Sequence, residues 1–317
     1  MDNIIFQKPD LTIVTPTREG FSAHWLDNLA KVRGNVEFIL VHPPGMKKVQ
    51  VDDYRIQQIN APFRGEIIQR MTGLYNARAE YTLTINCDEY LIPEIAEIVK
   101  IYFQRFPDSW ILRLARKSYV YGEKDKLSMP WSFVPSSVDN LPIWDGRKEN
   151  KEPSWEENYL QEMPIAPLQN SFDINILWRN RKDHHGRHTE NFDKKVWKTK
   201  LVKDTLIKLS QNMTIFSVFK YIPFWCLDRL LGLAIQANFF TQNGDIIGHI
   251  LPLSEQIRIE DNPPEYRGKP RYYILSELIL LKSFPQYPYI WNLVIFNTRK
   301  YGFLFIKESI KGFSLLG

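Results

Sequence analysis

Short apolar, β-branched runs alternate with stretches of helical spacing over the first 115 residues. Leu11 to Thr17 is such a run and is stopped by proline, which predicts a first strand. Ser22 leads into Ala23 to Val32, where apolar residues recur at helical spacing. Val36 to His42 predicts a second strand, closed by Pro43-Pro44-Gly45, and Tyr54 to Ile59 a weaker third. Glu66 to Asn76 reads as a helix and Tyr81 to Asp88 as a fourth strand. A helix over Pro93 to Phe106 and a strand over Trp110 to Leu114 follow. Strands alternating with helices predict an α/β protein with a doubly wound, mostly parallel sheet.

The pattern lapses from about Gly122 to Pro167, which is rich in Pro, Ser, Asn, Trp and charge. Long polar inserts of this kind are commonly functional lids or disordered inserts. Regular spacing returns at Asp173 to Arg179, then in helices expected over Val196 to Leu209 and Phe216 to Phe240. The last of these is the most apolar segment, but Lys220, Asp228 and Arg229 interrupt it, so a spanning helix is not expected.

Composition changes this picture little. The 317 residues carry a net charge of +5, enough for an anionic substrate but too little to argue for nucleic acid. The two cysteines, Cys87 and Cys226, lie in apolar contexts without metal-ligand spacing. No basic-then-apolar segment opens the chain, so a cytoplasmic location is expected, with peripheral contact at the inner membrane face left open.

The fourth strand runs into Asn86-Cys87-Asp88-Glu89. Carboxylates at a buried strand end cost free energy unless a cation faces them. In an open α/β sheet those strand ends are also where ligands bind. A divalent ion facing a diphosphate satisfies both conditions.

From Arg70 the chain reads Arg70-Met71-Thr72-Gly73-Leu74-Tyr75-Asn76-Ala77-Arg78-Ala79-Glu80-Tyr81, then Asn86-Cys87-Asp88-Glu89. This resembles, without a gap, the "R-N-x-G-[LI]-x-x-A-x-G-E-Y" and "D-x-D-D" motifs of inverting family 2 glycosyltransferases of the GT-A fold. Ile13-Val14-Thr15-Pro16-Thr17-Arg18 is similar to that family's opening strand. The resemblance covers about a third of the chain. Two positions depart from it. Asn86 stands at the first acidic position, and Val41-His42-Pro43-Pro44 ends the second strand where the family has an aspartate that reads the base.

The resemblance implies a GT-A-like domain over 1–250, with the polar insert at about 122–167, and a C-terminal aromatic and basic extension over 251–317. It implies transfer of a sugar from a nucleotide-diphosphate donor to a saccharide or lipid-linked hydroxyl acceptor, in surface polysaccharide or glycoconjugate synthesis. Thr15, Pro16, Thr17, Arg18, Arg70, Asn86 and Asp88 would then bind the donor. Mg²⁺ or Mn²⁺ would lie on Asp88, with Glu89 and His249 as further ligands. Glu89 as a helix-start residue and His249 as a hydrogen-bonded core histidine are the plainer alternatives.

An inverting transferase needs a general base. Asp228 is the expected one, in a stretch that resembles the family's base helix, with Glu190 and Asp193 as rivals. Three histidines in Asp183 to His188 lack the companions of a zinc site. The aromatic and basic tail from Tyr272 suits either packing on the domain or a membrane interface. A non-catalytic GT-A relative that binds or scaffolds is the main alternative, and a nucleotidyltransferase a lesser one, since Thr15 to Gly20 makes a poor phosphate loop.

Overall fold

The computed structural model describes residues 8–131, 138–145, 158–213, 224–241, 246–252, 255–261 and 274–314. Asn243-Gly244-Asp245 and much of the polar insert lie outside the described residues. In chain order the first elements are β1 (Leu11–Pro16), α1 (Ala23–Ala30), β2 (Val36–His42), β3 (Ile56–Asn60), α2 (Glu66–Asn76) and β4 (Tyr81–Thr84). Next come β5 (Glu89–Leu91), α3 (Ile95–Arg105), β6 (Ile111–Arg113), β7 (Arg116–Tyr119), α4 (Lys124–Ser128), β8 (Ile143–Trp144) and β9 (Leu160–Pro164). A 3₁₀ turn (Ile174–Leu177) precedes β10 (Lys195–Lys198), α5 (Thr199–Met213), α6 (Phe224–Asn238), β11 (Ile246–Ile250), β12 (Ile257–Glu260), α7 (Ile274–Ser283) and α8 (Pro288–Ser314).

One sheet has the order β3-β2-β1-β4-β10-β6-β11-β9-β8. Strands β1 to β4 are parallel, β10 runs antiparallel to both β4 and β6, and β11 returns parallel to β6. Every residue of β1 and β2 is buried, because helices cover both faces of the sheet. Leu11, Ile13, Phe38 and Leu40 join the core under α1 and α3, whereas Val14, Ile39 and Val41 join the core under α2, α5 and α6. The fold is therefore α/β and doubly wound, with a mostly parallel sheet, as the alternating pattern led us to expect.

Three features differ from the sequence reading. Strand β4 ends at Thr84 rather than Asp88: the chain turns there, with the Glu89 amide donating to Asn86 O at 3.1 Å. Glu89–Leu91 then enters a second sheet of order β5-β12-β7. Val196–Lys198 is strand rather than helix, because Val196 and Trp197 pair with β4 on one side and β6 on the other. Pairing across the sheet overrides the local preference.

The C-terminal part packs back on the domain. Ile279 and Leu280 of α7 and Tyr289, Ile290 and Leu293 of α8 share a core with Leu230 and Ala234 of α6. Among the described residues no helix is long and apolar enough to cross a membrane.

Candidate active site

Two glycines let helices come close to the segments that carry the site residues near the carboxyl ends of β1 and β4. A Cβ on Gly73 of α2 would lie 2.3 Å from Val14 Cγ1, and one on Gly232 of α6 would lie 2.6 Å from Glu190 O. Each glycine sits about one helical turn from a site residue, Arg70 on α2 and Asp228 on α6.

Arg70 is 1% exposed. Its guanidinium donates to Asn86 Oδ1 and, at 3.3 Å, to Asp193 Oδ1, with Glu66 at 3.5 Å. Thr84, the last residue of β4, donates its hydroxyl to the same Asp193 oxygen at 3.1 Å. The Asp193 amide donates to Asp228 Oδ1 at 2.6 Å, and the Phe192 amide donates to Asp228 O at 2.9 Å. Arg70, Asn86, Asp193 and Asp228, expected from widely separated segments, thus form one hydrogen-bonded group.

Burial raises the Asp228 carboxyl above its ordinary range, and the nearby Asp193 charge adds to this. A carboxylate whose proton affinity is raised in this way is a candidate general base.

Lys194 is the one non-glycine residue with positive φ (59°) among the described residues. A left-handed non-glycine costs on the order of 1 kcal/mol and persists only where its surroundings enforce it. Its ammonium lies 3.7 Å from Glu89. Lys195 is 3% exposed, donates to Asn191 O at 2.7 Å and Asp193 O at 3.1 Å, and is pushed down to about 7 by burial. Neither lysine was foreseen from sequence. A Lys-Lys pair before an apolar run reads as surface, and nothing local signals that β10 is a central strand.

Asp88 sits at the rim, with a side chain 27% exposed and Arg18 at 3.8 Å. Its carboxyl is raised by burial, against the pull of Arg18. Glu89 turns inward instead. It is 2% exposed, accepts from the Asn86 amide at 2.9 Å and Asn86 Nδ2 at 3.3 Å, and is pushed up to about 7 by burial and the Asp193 charge.

Among the described residues no group of three His, Cys, Asp or Glu gathers that could hold a metal. Both Glu89 oxygens are engaged within the turn, so the residues present fit a divalent ion only through Asp88. That is the sparse protein share typical of Mg²⁺, which takes its other oxygens from phosphates and water.

Thr15, Pro16 and Thr17 are buried at the end of β1, while Arg18 is exposed. The Thr15 hydroxyl has no hydrogen-bond partner among the described residues. Thr17 Oγ1 lies 2.6 Å from His42 Nδ1, and His42 Nε2 lies 2.9 Å from Gln58 Oε1. His42 is thus fixed on both ring nitrogens at the end of β2.

Two expected residues fall outside this group. His249 is 4% exposed, lies 2.8 Å from the Tyr102 hydroxyl, and packs on Phe106 at 4.3 Å between ring centres. Burial lowers it to about 4. Its surroundings are those of a core histidine on β11, the plainer alternative that its apolar setting offered. Glu190 is gripped by Arg181 at 3.0 Å, Arg229 at 3.2 Å and the Tyr289 hydroxyl. Burial alone would raise it, but the two arginines outweigh burial and hold it below the ordinary range.

No family model and no curated protein matches the chain. Among solved structures it is similar to the crystal structure of S. aureus TarS 1-349, at 14% identity over 93% of this chain and 72% of that chain, with a TM-score of 0.49. It is also similar to TarS 1-349 in complex with UDP-GlcNAc (14% identity, 86% of this chain and 66% of that chain, TM-score 0.45). The third is TarS 1-349 in complex with UDP (12% identity, 86% of this chain and 65% of that chain, TM-score 0.46). The chain spans just under two thirds of the length of those last two chains. By its own sheet order and helix placement, the protein has a doubly wound α/β fold with an added C-terminal helical region.

Proposed function

We propose that this protein moves a sugar from a nucleotide-diphosphate donor to a hydroxyl acceptor with inversion. The supporting observation is the convergence of Arg70, Asn86, Asp193 and Asp228 into one hydrogen-bonded group next to the acid turn that carries Asp88. In this reading the donor lies across the ends of β1 and β4, against Thr15 to Arg18. Asp88 would hold a divalent ion, which when bound stabilises charge on the departing diphosphate. Arg18, exposed beside Asp88, is placed to meet the same phosphates.

Asp228 takes the proton of the acceptor hydroxyl. Its raised proton affinity follows from burial, and the Asp193 amide orients its carboxylate. Asp193 is a positioning residue, tied to Arg70 and Thr84. Synthesis of a surface polysaccharide or glycoconjugate is the setting we infer from the motif resemblance.

One observation favours a second reading, in which the site binds a nucleotide without turnover. Asn86 replaces the first acid and accepts from Arg70, which leaves Asp88 as the one partly exposed carboxylate of the acid turn. A single experiment separates the two. Thermal shifts are recorded with a panel of nucleoside diphosphates and nucleotide sugars, with and without Mn²⁺, and release of nucleoside diphosphate is followed in parallel. Transfer predicts a metal-dependent rise in Tm with one nucleotide, lost in Asp88→Ala, together with release of that diphosphate. A shift without release supports the binding protein, and no shift with any nucleotide overturns both.

A further inference from the structure

The loop from Phe172 to Lys182, outside the crevice, presents an unusual surface. Phe172, Ile174, Leu177 and Trp178 are 48%, 51%, 42% and 75% exposed. Exposed apolar side chains scattered singly need no explanation, but four within seven residues form a patch. They are also held rigidly. Asp173 accepts from the Asn175 amide at 2.9 Å and closes the 3₁₀ turn, while Ile176 points inward and is buried.

Helix α8 fastens the loop from beneath. Asn292 accepts from the Asp173 amide at 3.0 Å and donates to Ser171 O at 3.2 Å. Arg299, two turns along, donates to Ile176 O at 2.9 Å and to Arg179 O at 2.8 Å. The apolar side chains therefore stand in water on a fixed mount and have not simply failed to fold inward.

The fully exposed charges of the loop are cations. Arg179 and Lys182 are exposed on the loop. The acids within the loop are engaged: Asp173 caps the turn, and Asp183 accepts from Arg181 at the loop's end and from Asn292 at 3.0 Å. An apolar centre bearing Trp and Phe with a cationic surround matches the interface of a bilayer carrying anionic lipid.

We propose that the Phe172–Lys182 loop, mounted on α8, docks this protein on an anionic membrane surface. The apolar side chains enter the headgroup boundary and the cations meet lipid phosphates. This inference does not depend on the transferase reading, since no residue of the crevice takes part.

Flotation of the full chain tests it, with vesicles of phosphatidylcholine alone and of phosphatidylcholine and phosphatidylglycerol in equal parts. Binding is expected to the mixed vesicles, weakened by added salt. Ile174→Ser with Trp178→Ser should reduce partition about tenfold or more. Arg179→Gln with Lys182→Gln should reduce it about fivefold per charge. Both double variants should keep the wild-type Tm, because the altered side chains are exposed. No flotation with mixed vesicles, or equal flotation of the Ile174/Trp178 variant, overturns the proposal. So does lipid-free self-association that vanishes in that variant while vesicles are ignored.

Discussion

The Asp193 amide donates to Asp228 Oδ1 at 2.6 Å, so two carboxylates 35 positions apart belong to one device. Their roles divide by their other partners. The Asp193 carboxylate is tied to Arg70 and Thr84, while Asp228 receives its neighbour's backbone and is raised in proton affinity by burial. This division gives a kinetic prediction. Asp228→Asn should lower kcat by about 10²- to 10⁴-fold and leave the affinity for donor nucleotide unchanged. Steady-state kinetics with a nucleotide titration check it, and equal loss of binding and turnover would refute the base assignment.

Glu190 was a rival for the base, and its contacts give it another task. It joins Arg181, Arg229 and Tyr289, tying the 181–190 loop to α6 and α8. Removing one charge of a buried network leaves its partners uncompensated. Glu190→Gln should therefore cost about 3 kcal/mol. Urea unfolding reads this as a lower midpoint at unchanged slope. Nucleotide binding by the folded variant should match wild type.

Two buried groups make stability depend on pH in opposite directions. Glu89 is raised from its ordinary 4.5 to about 7, so its contribution is complete below 4.5 and is lost as pH rises through 7. Lys195 is lowered from 10.5 to about 7, so its contribution is complete above 10.5 and is lost as pH falls through 7. From these two groups alone, Tm should fall between pH 4.5 and 7 and recover toward pH 10.5. Melting curves of Glu89→Gln should lack the acid limb of this difference, and those of Lys195→Met the alkaline limb. Wild-type-like profiles in both variants would contradict the assignments.

Glycine substitutions probe the packing that seats the site. A Cβ at Gly248 of β11 would lie 1.9 Å from Ile111 O, a backbone atom of the paired strand. Gly248→Ala should cost about 3 kcal/mol or more, because the strand must shift. Gly302 lies in α8 with nothing within 4 Å of its added Cβ. Gly302→Ala should stabilise the protein by up to about 1 kcal/mol. Denaturant midpoints of the two variants should move in opposite directions.

Much of the first third of the chain is legible in its sequence. Strand β2 is observed over Val36–His42, as read from its apolar run, because both faces are buried and every side chain has to be apolar or paired. Helix α2 runs over Glu66–Asn76, as its spacing predicts. The acid turn was recognisable because carboxylates seldom follow a buried strand without a purpose. Strand β10 was not legible. Its four residues, Lys195–Lys198, continue without a break into α5, and only the gap between β4 and β6 makes them extended.

The site divides in the same way. In the sequence, carboxylates against an apolar strand marked Asp88 and Glu89, while the motif resemblance marked Arg70, Asn86 and Asp228, with Asp193 as a rival base. Tertiary structure decided which of them meet. It turned Glu89 inward onto the Asn86 amide, buried His249 against Tyr102 and Phe106, and locked Glu190 between two arginines. Close approach at two glycines accompanies these outcomes, of α2 to β1 at Gly73 and of α6 to residues 190–192 at Gly232. Such contacts join positions up to 147 residues apart, as in the Tyr102–His249 pair, and periodicity within a short window cannot carry information over that distance.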